Sequence, residues 1–562
     1  MQTSSASPMH GVPVSPGSAV GPVVQVTPPA PAPTDEPAPS DTDTAVLQVQ
    51  TAFDDVAAGL DRRAADAPKT AKDILTATAM MARDNALRAS VEARVRGGLG
   101  PATAVRDSVE EYCVTFEAAG GYLAERVTDL RDVRDRVIAH LLGHAEPGIP
   151  TLREPSVLVA IDLAPAETAT LDPTQVLAIV TQSGGRNSHT AILAAQLGIP
   201  AVVQVPDAAA IENGTILAVD GDSGRVIIDP DSETREALYR KMSARSAALE
   251  GSAGPGRTAD GHPVALLVNI GTAEDAVAAG RLDVEGVGLF RTEVLFLGRQ
   301  SAPTREEQGA IYRTVFDAFA GRRVVVRTLD AGADKPLAFA DLGPEDNPAL
   351  GRRGLRMGQA VPDLLDTQLA ALADAAKDTQ AQVKVMAPMV ATADEARWFA
   401  ERVHAAGLDE SGVMIEVPAA ALRSRDVLSH VEFGSLGTND LAQYTMAADR
   451  TQGALSDLLD PWQPALLDVI AAACSGASSV DRPLGVCGES AGDPLLALVL
   501  TGLGVTSLSM APGKIDLVRF ALASHDLQTC RSLAEQARAA RSASAARQVV
   551  LDGVSGALRD LL

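Results

Sequence analysis

The apolar positions change period along the chain. Residues 9–27 (MHGVPVSPGSAVGPVVQVT) read as a turn followed by a strand. From about 45 to 145 strand signals vanish and a helical period takes over. In "YLAERVTDLRDVRDRVIAHLLG" (122–143), Leu123, Val127, Leu130, Val133, Val137 and Leu141 share one helix face. This stretch predicts a helical subdomain of about four helices. Between 155 and 230 the runs VLVAI, VLAIV, AVVQV, ILAV and VIID alternate with a helical segment, which predicts a compact α/β unit. Beyond 262 come eight short apolar runs: VALLVNI (264–270), GVGLF (286–290), VVVRTL (324–329), VKVMAP (383–388), GVMIEV (412–417), FGSLG (433–437), LGVCG (484–488) and SLSM (507–510). Helical stretches separate most of them, so this part predicts a (β/α)8 barrel with a large insertion after its third strand.

Three segments break these patterns. Residues 28–44 (PPAPAPTDEPAPSDTDT) are rich in proline, alanine and acids and read as an extended, solvated connector. Residues 233–250 read as a linking helix, and GSAGPGRTADG (251–261) as a loop at a domain boundary. The expected organisation is a first strand segment (1–27), a connector with a helical subdomain (28–145), an α/β domain (146–232), a linker (233–261) and a barrel (262–562). The fold class is thus multidomain α/β.

Composition narrows the class of function. The 562 residues carry a formal charge of −24 at pH 7, which argues against a nucleic-acid binder and against an acidic membrane surface. The four cysteines (Cys113, Cys474, Cys487, Cys530) are scattered with no C-x-x-C pair, so neither a zinc site nor a disulfide framework is indicated. The N-terminus lacks a signal-peptide pattern, and no apolar run reaches membrane-spanning length, so a cytoplasmic protein is expected.

Two places carry candidate chemistry. In "SGGRNSHTAILAAQLGIP" (183–200), Ser183, Gly184 and Gly185 read as a turn after a strand, Asn187 or Ser188 as an N-cap, and Gly198 with Pro200 as a helix stop. His189 then stands at a helix N-terminus, where exposed N–H groups disfavour a cationic imidazole and favour a bound anion. A nucleophile that carries phosphorus suits that position; a capping or packing histidine suits it equally. The second place is the C-terminal ends of the barrel strands, where such barrels hold their active residues. There lie Arg291 and Glu293 in "RTE", Arg327, Asp330 and Lys335 in "RTLDAGADK", and Arg352, Arg353 and Arg356 in the insertion. Glu416, Asn439, Asp440 and Cys487 follow at later strand ends. Arginine forks match phosphate and carboxylate oxygens, and two carboxylates beside a phosphate suit Mg²⁺. Structural ion pairs at a barrel mouth are the plainer alternative.

The segments "GGRNSHTAILA", "GVGLFRTEVLFL", "VVVRTLDAGADKPL", "NPALGRRGLR", "MIEVPAA", "GTNDLAQYTMAADR" and "GVCGESAGD" occur in this order, and the chain resembles the phosphoenolpyruvate–protein phosphotransferase family. The resemblance spans roughly 11–525 and is weakest across 28–80. It implies that His189 is phosphorylated, that Arg291, Arg327 and Arg450 bind phosphoenolpyruvate with Arg353 as a further contact, and that Asn439 helps hold it. It implies Glu416 and Asp440 as Mg²⁺ ligands, Cys487 as proton donor, the carrier protein HPr as partner on the helical subdomain, and a homodimer through the barrel. A buried strand cysteine is ordinarily packing; the resemblance is what makes Cys487 chemical. Three departures stand out: Asn187 in place of a usual threonine, Ala333 in place of a glycine, and no histidine in "DPWQPALL" (460–467), which bears on the dimer contact. Pyruvate phosphate dikinase and phosphoenolpyruvate synthase resemble the chain too, but they need a large ATP-binding domain, and no phosphate-binding glycine loop precedes His189. A silent regulator on the same scaffold is expected to lack His189, Cys487, Glu416 or Asp440, and all four are present.

Overall fold

The computed structural model describes residues 8–562 except 34–35, 67–68, 120–125, 151, 164–170, 186–188, 251, 298, 333–336, 341, 344 and 451. Leu123, Asn187, Ser188, Ala333 and Lys335 therefore lie outside the described residues, as does the side chain of His189. The chain divides into two compact units, residues 1–243 and 244–562.

The first unit contains one sheet built from two distant parts of the chain. Its strands are β1 (Met9–His10), β2 (Val12–Ser15), β3 (Ser18–Gln25), β4 (Ser156–Ala160), β5 (Val176–Thr181), β6 (Ala201–Val203), β7 (Ile216–Asp220) and β8 (Arg225–Ile228), in the order β1-β8-β7-β3-β4-β5-β6-β2. β4 is buried along its whole length. Because side chains alternate across a strand, Val157 and Val159 enter one apolar cluster while Leu158 and Ala160 enter another on the opposite face. The helix His189–Leu197 covers the second face through Ala194, with Leu193 and Leu197 packed beside it.

Between β3 and β4 the chain leaves the sheet and forms a helical subdomain. Thr27 and Gly148 pair where it departs and returns. Five described helices appear, one more than expected: Thr42–Asp66, Lys69–Ala82, Asn85–Arg96, Pro101–Ala119 and Val127–Leu142. The break at 83–84 has neither glycine nor proline to mark it. Asp84 makes it, by accepting from the Leu87 N–H at 2.7 Å as an N-cap. On the last helix, Val127, Leu130, Val133 and Val137 are buried in the subdomain core as their spacing requires. The 28–44 segment is not simply a solvated connector. Ala32 packs on the helical core, Arg106 donates to the Pro33 carbonyl, and Glu36 accepts from the N–H groups of Ala102 and Thr103. The linking helix runs Ser232–Glu250.

The second unit holds a closed barrel of eight parallel strands: β9 (Ala265–Ile270), β10 (Gly286–Arg291), β11 (Arg323–Arg327), β12 (Gln382–Ala387), β13 (Ser411–Ile415), β14 (Phe433–Leu436), β15 (Leu484–Val486) and β16 (Ser507–Met510). All eight match the apolar runs in the sequence. Leu289, Val325, Met386, Met414, Phe433 and Cys487 form a small cluster contributed by consecutive strands, separate from the large core shared with the helices. The long segment after β11 contains helices Leu355–Ala360 and Pro362–Ala376. Among the described residues, no helix is long and apolar enough to cross a membrane.

Candidate active site

Five strand ends deliver the barrel's chemistry to one rim. Arg291 closes β10 and Arg327 closes β11; Glu416 follows β13, Asn439 and Asp440 open the helix after β14, and Cys487 follows β15. The long segment after β11 adds Arg353.

At the centre lies a buried chain of ion pairs. Arg353, 2 % exposed, forks onto Asp330 through Nε and Nη2, each 3.0 Å from a carboxylate oxygen. The same guanidinium reaches both oxygens of Asp440, at 3.2 and 3.1 Å. Arg327 pairs with Glu293 at 2.8 Å and with Asp330 at 3.3 Å. The neighbours of Arg353 do none of this: Arg352 pairs with Glu345 near the surface, and Arg356 donates to the carbonyls of Leu350 and Gly351. Removing one member of such a buried network strands its partner's charge, at a cost of about 3–5 kcal/mol. Burial opposes the Arg327 charge, but Glu293, Asp330 and Glu416 outweigh it and hold its pKa above the ordinary value. The Nε of Arg327 is buried without a hydrogen-bond partner. A donor left so suits an incoming anionic oxygen. Arg291 is exposed, and Arg450 is half-exposed with Nη1 3.9 Å from Asp440.

Glu416 accepts the Met389 N–H at 2.7 Å through one oxygen. Its other oxygen lies against Gly437, where a Cβ would come within 2.7 Å; glycine is what lets the backbone approach so closely. Burial, then Asp440 and Asp330, push the Glu416 pKa up to about 8. Two buried carboxylates that repel each other gain from a shared divalent cation. No cluster of three or more acidic, histidine or cysteine ligands gathers among the described residues. A pair is nevertheless sufficient for Mg²⁺, which completes its shell with water and substrate oxygens. The donor set therefore fits the metal.

Cys487 is buried and donates weakly to the Leu436 carbonyl at 3.6 Å. Burial pushes its pKa up to about 11, with Ser435 and Arg327 opposing. It is a protonated thiol at neutral pH. Asn439 accepts the Glu489 N–H at 3.3 Å, which ties the ends of β14 and β15 together.

His189 lies in the other unit, as the first residue of its helix. The described part of the bend before it, residues 183–185, is held through its carbonyls. Gly184 has a φ of +95°, Gln204 donates to its carbonyl at 2.8 Å, and Thr181 donates to the Ser183 carbonyl at 2.7 Å. Gly198, at φ +68°, and the Ile199 N–H bonded to the Ala194 carbonyl end the helix.

Three family models cover most of the chain. The PEP-utilising enzyme N-terminal model matches residues 10–126, the mobile-domain model 152–224 and the PEP-binding-domain model 247–527. A phosphoenolpyruvate-protein phosphotransferase of Streptomyces coelicolor is 51% identical over 551 residues, covering 97% of this chain and 99% of its own. The chain belongs to the phosphoenolpyruvate–protein phosphotransferase family. A phosphotransferase of the same name from Haloferax volcanii is 40% identical over 549 residues, covering 94% of this chain and 96% of its own. An NMR structure titled Enzyme I (nEIt) is 32% identical, with a TM-score of 0.39, and covers 42% of this chain and 99% of its own. As a member of the phosphotransferase family the chain is an enzyme that uses phosphoenolpyruvate.

Beside the strand-end residues lie groups the motifs did not single out. Met389 lends its N–H to Glu416, and Gln368 accepts the N–H of Leu329, two residues after Arg327. Gln368 did leave a signal, as the polar position on an otherwise apolar face with Leu365, Leu369 and Leu372.

Proposed function

We propose that the chain transfers the phosphoryl group of phosphoenolpyruvate to His189, and from there to a histidine of the carrier protein HPr, with release of pyruvate. The observation that carries this reading is the buried network of Arg327, Arg353, Asp330 and Asp440 at the C-terminal rim of a closed parallel barrel, with a spare donor on Arg327. Arg291, Arg327, Arg353 and Arg450 hold the phosphate and carboxylate of the substrate, and Asn439 assists. Glu416 and Asp440 would hold Mg²⁺, which supplies positive charge beside the phosphate when bound.

A nitrogen of His189 attacks phosphorus as the bond from phosphorus to the enol oxygen breaks. The arginines neutralise the oxygens during transfer, and positioning supplies much of the rate. The enolate's electrons move to the methylene carbon, which takes the proton from Cys487; water restores the thiol. The keto product makes the step downhill. Phospho-His189 then gives its group to HPr on the helical subdomain. The reading includes a cytoplasmic location and a homodimer formed through the barrel.

The test is incubation with labelled phosphoenolpyruvate, Mg²⁺ and HPr. Acid-labile, base-stable label is expected on both proteins, with stoichiometric pyruvate. Acid-stable label, or none, contradicts the reading.

A further inference from the structure

Gln368 lies on the helix Pro362–Ala376, is 1 % exposed, and spends its amide on three different segments. Its Oε1 accepts the Leu329 N–H at 3.0 Å. Its Nε2 donates to Thr292 Oγ1 and to the Tyr312 hydroxyl, both at 3.1 Å. The orientation is fixed, since a backbone N–H only donates and Oε1 must face it. Each partner passes its own proton onward: Thr292 to the Arg327 carbonyl at 2.9 Å, and Tyr312 to Gln308 at 3.0 Å. Thr292, Tyr312 and Gln308 are fully buried, so no water substitutes for these bonds.

The network joins the two segments that carry the first two candidate arginines. Thr292 follows Arg291 directly. The Arg327 carbonyl and the Leu329 N–H flank Thr328, just before Asp330. We propose that Gln368 is a positioning residue for phosphoenolpyruvate: it sets the spacing between the ends of β10 and β11, and hence between Arg291 and Arg327, without touching substrate. This rests on the reading of the barrel rim given above. A helix on the outside of the barrel is thereby built into the geometry of the anion clamp.

The full-length chain carrying Gln368→Leu keeps the volume and loses all three bonds. Two measurements separate positioning from folding. One is calorimetric binding of phosphoenolpyruvate with Mg²⁺ in a His189→Ala background, where no turnover occurs. The other is phosphoryl exchange between His189 and phospho-HPr, which uses the first unit. Gln368→Leu is expected to raise the dissociation constant and the KM by about tenfold to a hundredfold, with a smaller fall in kcat and unchanged exchange. If Gln368→Leu fails to fold, the isosteric Thr292→Val interrupts the same link and is expected to weaken binding several-fold. Unaltered affinity in whichever variant folds overturns the inference alone. Failure of the His189→Ala chain to bind phosphoenolpyruvate at all overturns the phosphotransferase reading of the rim, and the inference with it.

Discussion

The helix tip that carries His189 and the rim of the barrel are ordered by different forces. In the described bend before the tip, backbone carbonyls are what is held: Gly184 sits at positive φ, Gln204 donates to its carbonyl, and Thr181 donates to the Ser183 carbonyl before it. At the rim, side chains hold one another, with Arg353 bridging Asp330 and Asp440, and Arg327 bridging the same Asp330 and Glu293. Pre-paired charges resist collapse and keep their forks aimed, which suits a receptacle for a small anion. Under the proposed transfer, a histidine at a helix N-terminus suits a group that serves two partners in turn, because exposed N–H groups there favour a bound anion. The division of labour predicts that damage to one place spares the other.

The largest expected effect comes from the carrier. His189→Ala should abolish labelling by phosphoenolpyruvate and exchange with phospho-HPr, while calorimetric affinity for phosphoenolpyruvate changes less than about twofold, since the proposed substrate contacts all belong to the second unit. Label found on any other histidine, or loss of binding with the loss of labelling, breaks the comparison.

The next effect belongs to the rim. Cys487→Ser should slow pyruvate formation by about 10²–10⁴, the usual scale of a lost general acid, with substrate affinity retained. The pH profile sharpens the point. The donor must be protonated, so activity from this group falls as pH rises through its pKa. An ordinary thiol would impose that fall near ~8.5, whereas burial pushes the Cys487 pKa up to about 11. The rate of pyruvate formation should therefore show no thiol-dependent decline between about pH 7.5 and 9.5. A wild-type decline near 8.5 that is missing in Cys487→Ser would contradict the buried-acid assignment.

The same contrast explains what the sequence made legible. The barrel strands were readable because each is a short apolar run with its own turn signals, and strand ends identify a rim without any knowledge of contacts. The His189 helix was readable because its apolar spacing and its glycine stop at Gly198 are local. What the residue pattern by itself could not sort was which arginine turns inward: Arg352, Arg353 and Arg356 look alike, the family resemblance singled out Arg353, and the non-local partners Asp330 and Asp440 are the physical reason it turns in. Gln368 stood out only as a polar position on an apolar helix face; its three partners, which lie on other segments, could not be read from it. The helix boundary at Asp84 escaped notice because a lone aspartate cap carries little signal without glycine or proline beside it.

The smallest effect falls on the first unit and concerns Glu36, which composition alone placed in a solvated connector. Helix Pro101–Ala119 begins after Gly100, whose carbonyl accepts the Ala104 N–H at 2.9 Å and which therefore occupies the N-cap position. Glycine has no side chain with which to cap. Glu36 supplies the missing acceptor from far away in the chain, taking the N–H of Ala102 at 3.2 Å and of Thr103 at 2.7 Å. A Cβ on Gly100 would lie 2.3 Å from the Glu36 carboxyl carbon, so the glycine and the borrowed cap require each other. Loss of such a cap costs about 1 kcal/mol, roughly 2–4 °C in a unit of this size. Glu36→Ala should lower the melting temperature of the first unit by that amount and leave phosphoenolpyruvate affinity at the barrel untouched. Gly100→Ser offers a local cap but collides with Glu36, so it should destabilise the wild-type chain and stabilise Glu36→Ala. Additive effects of the two substitutions would show that Glu36 does not cap the helix, and the connector would return to being a solvated tether.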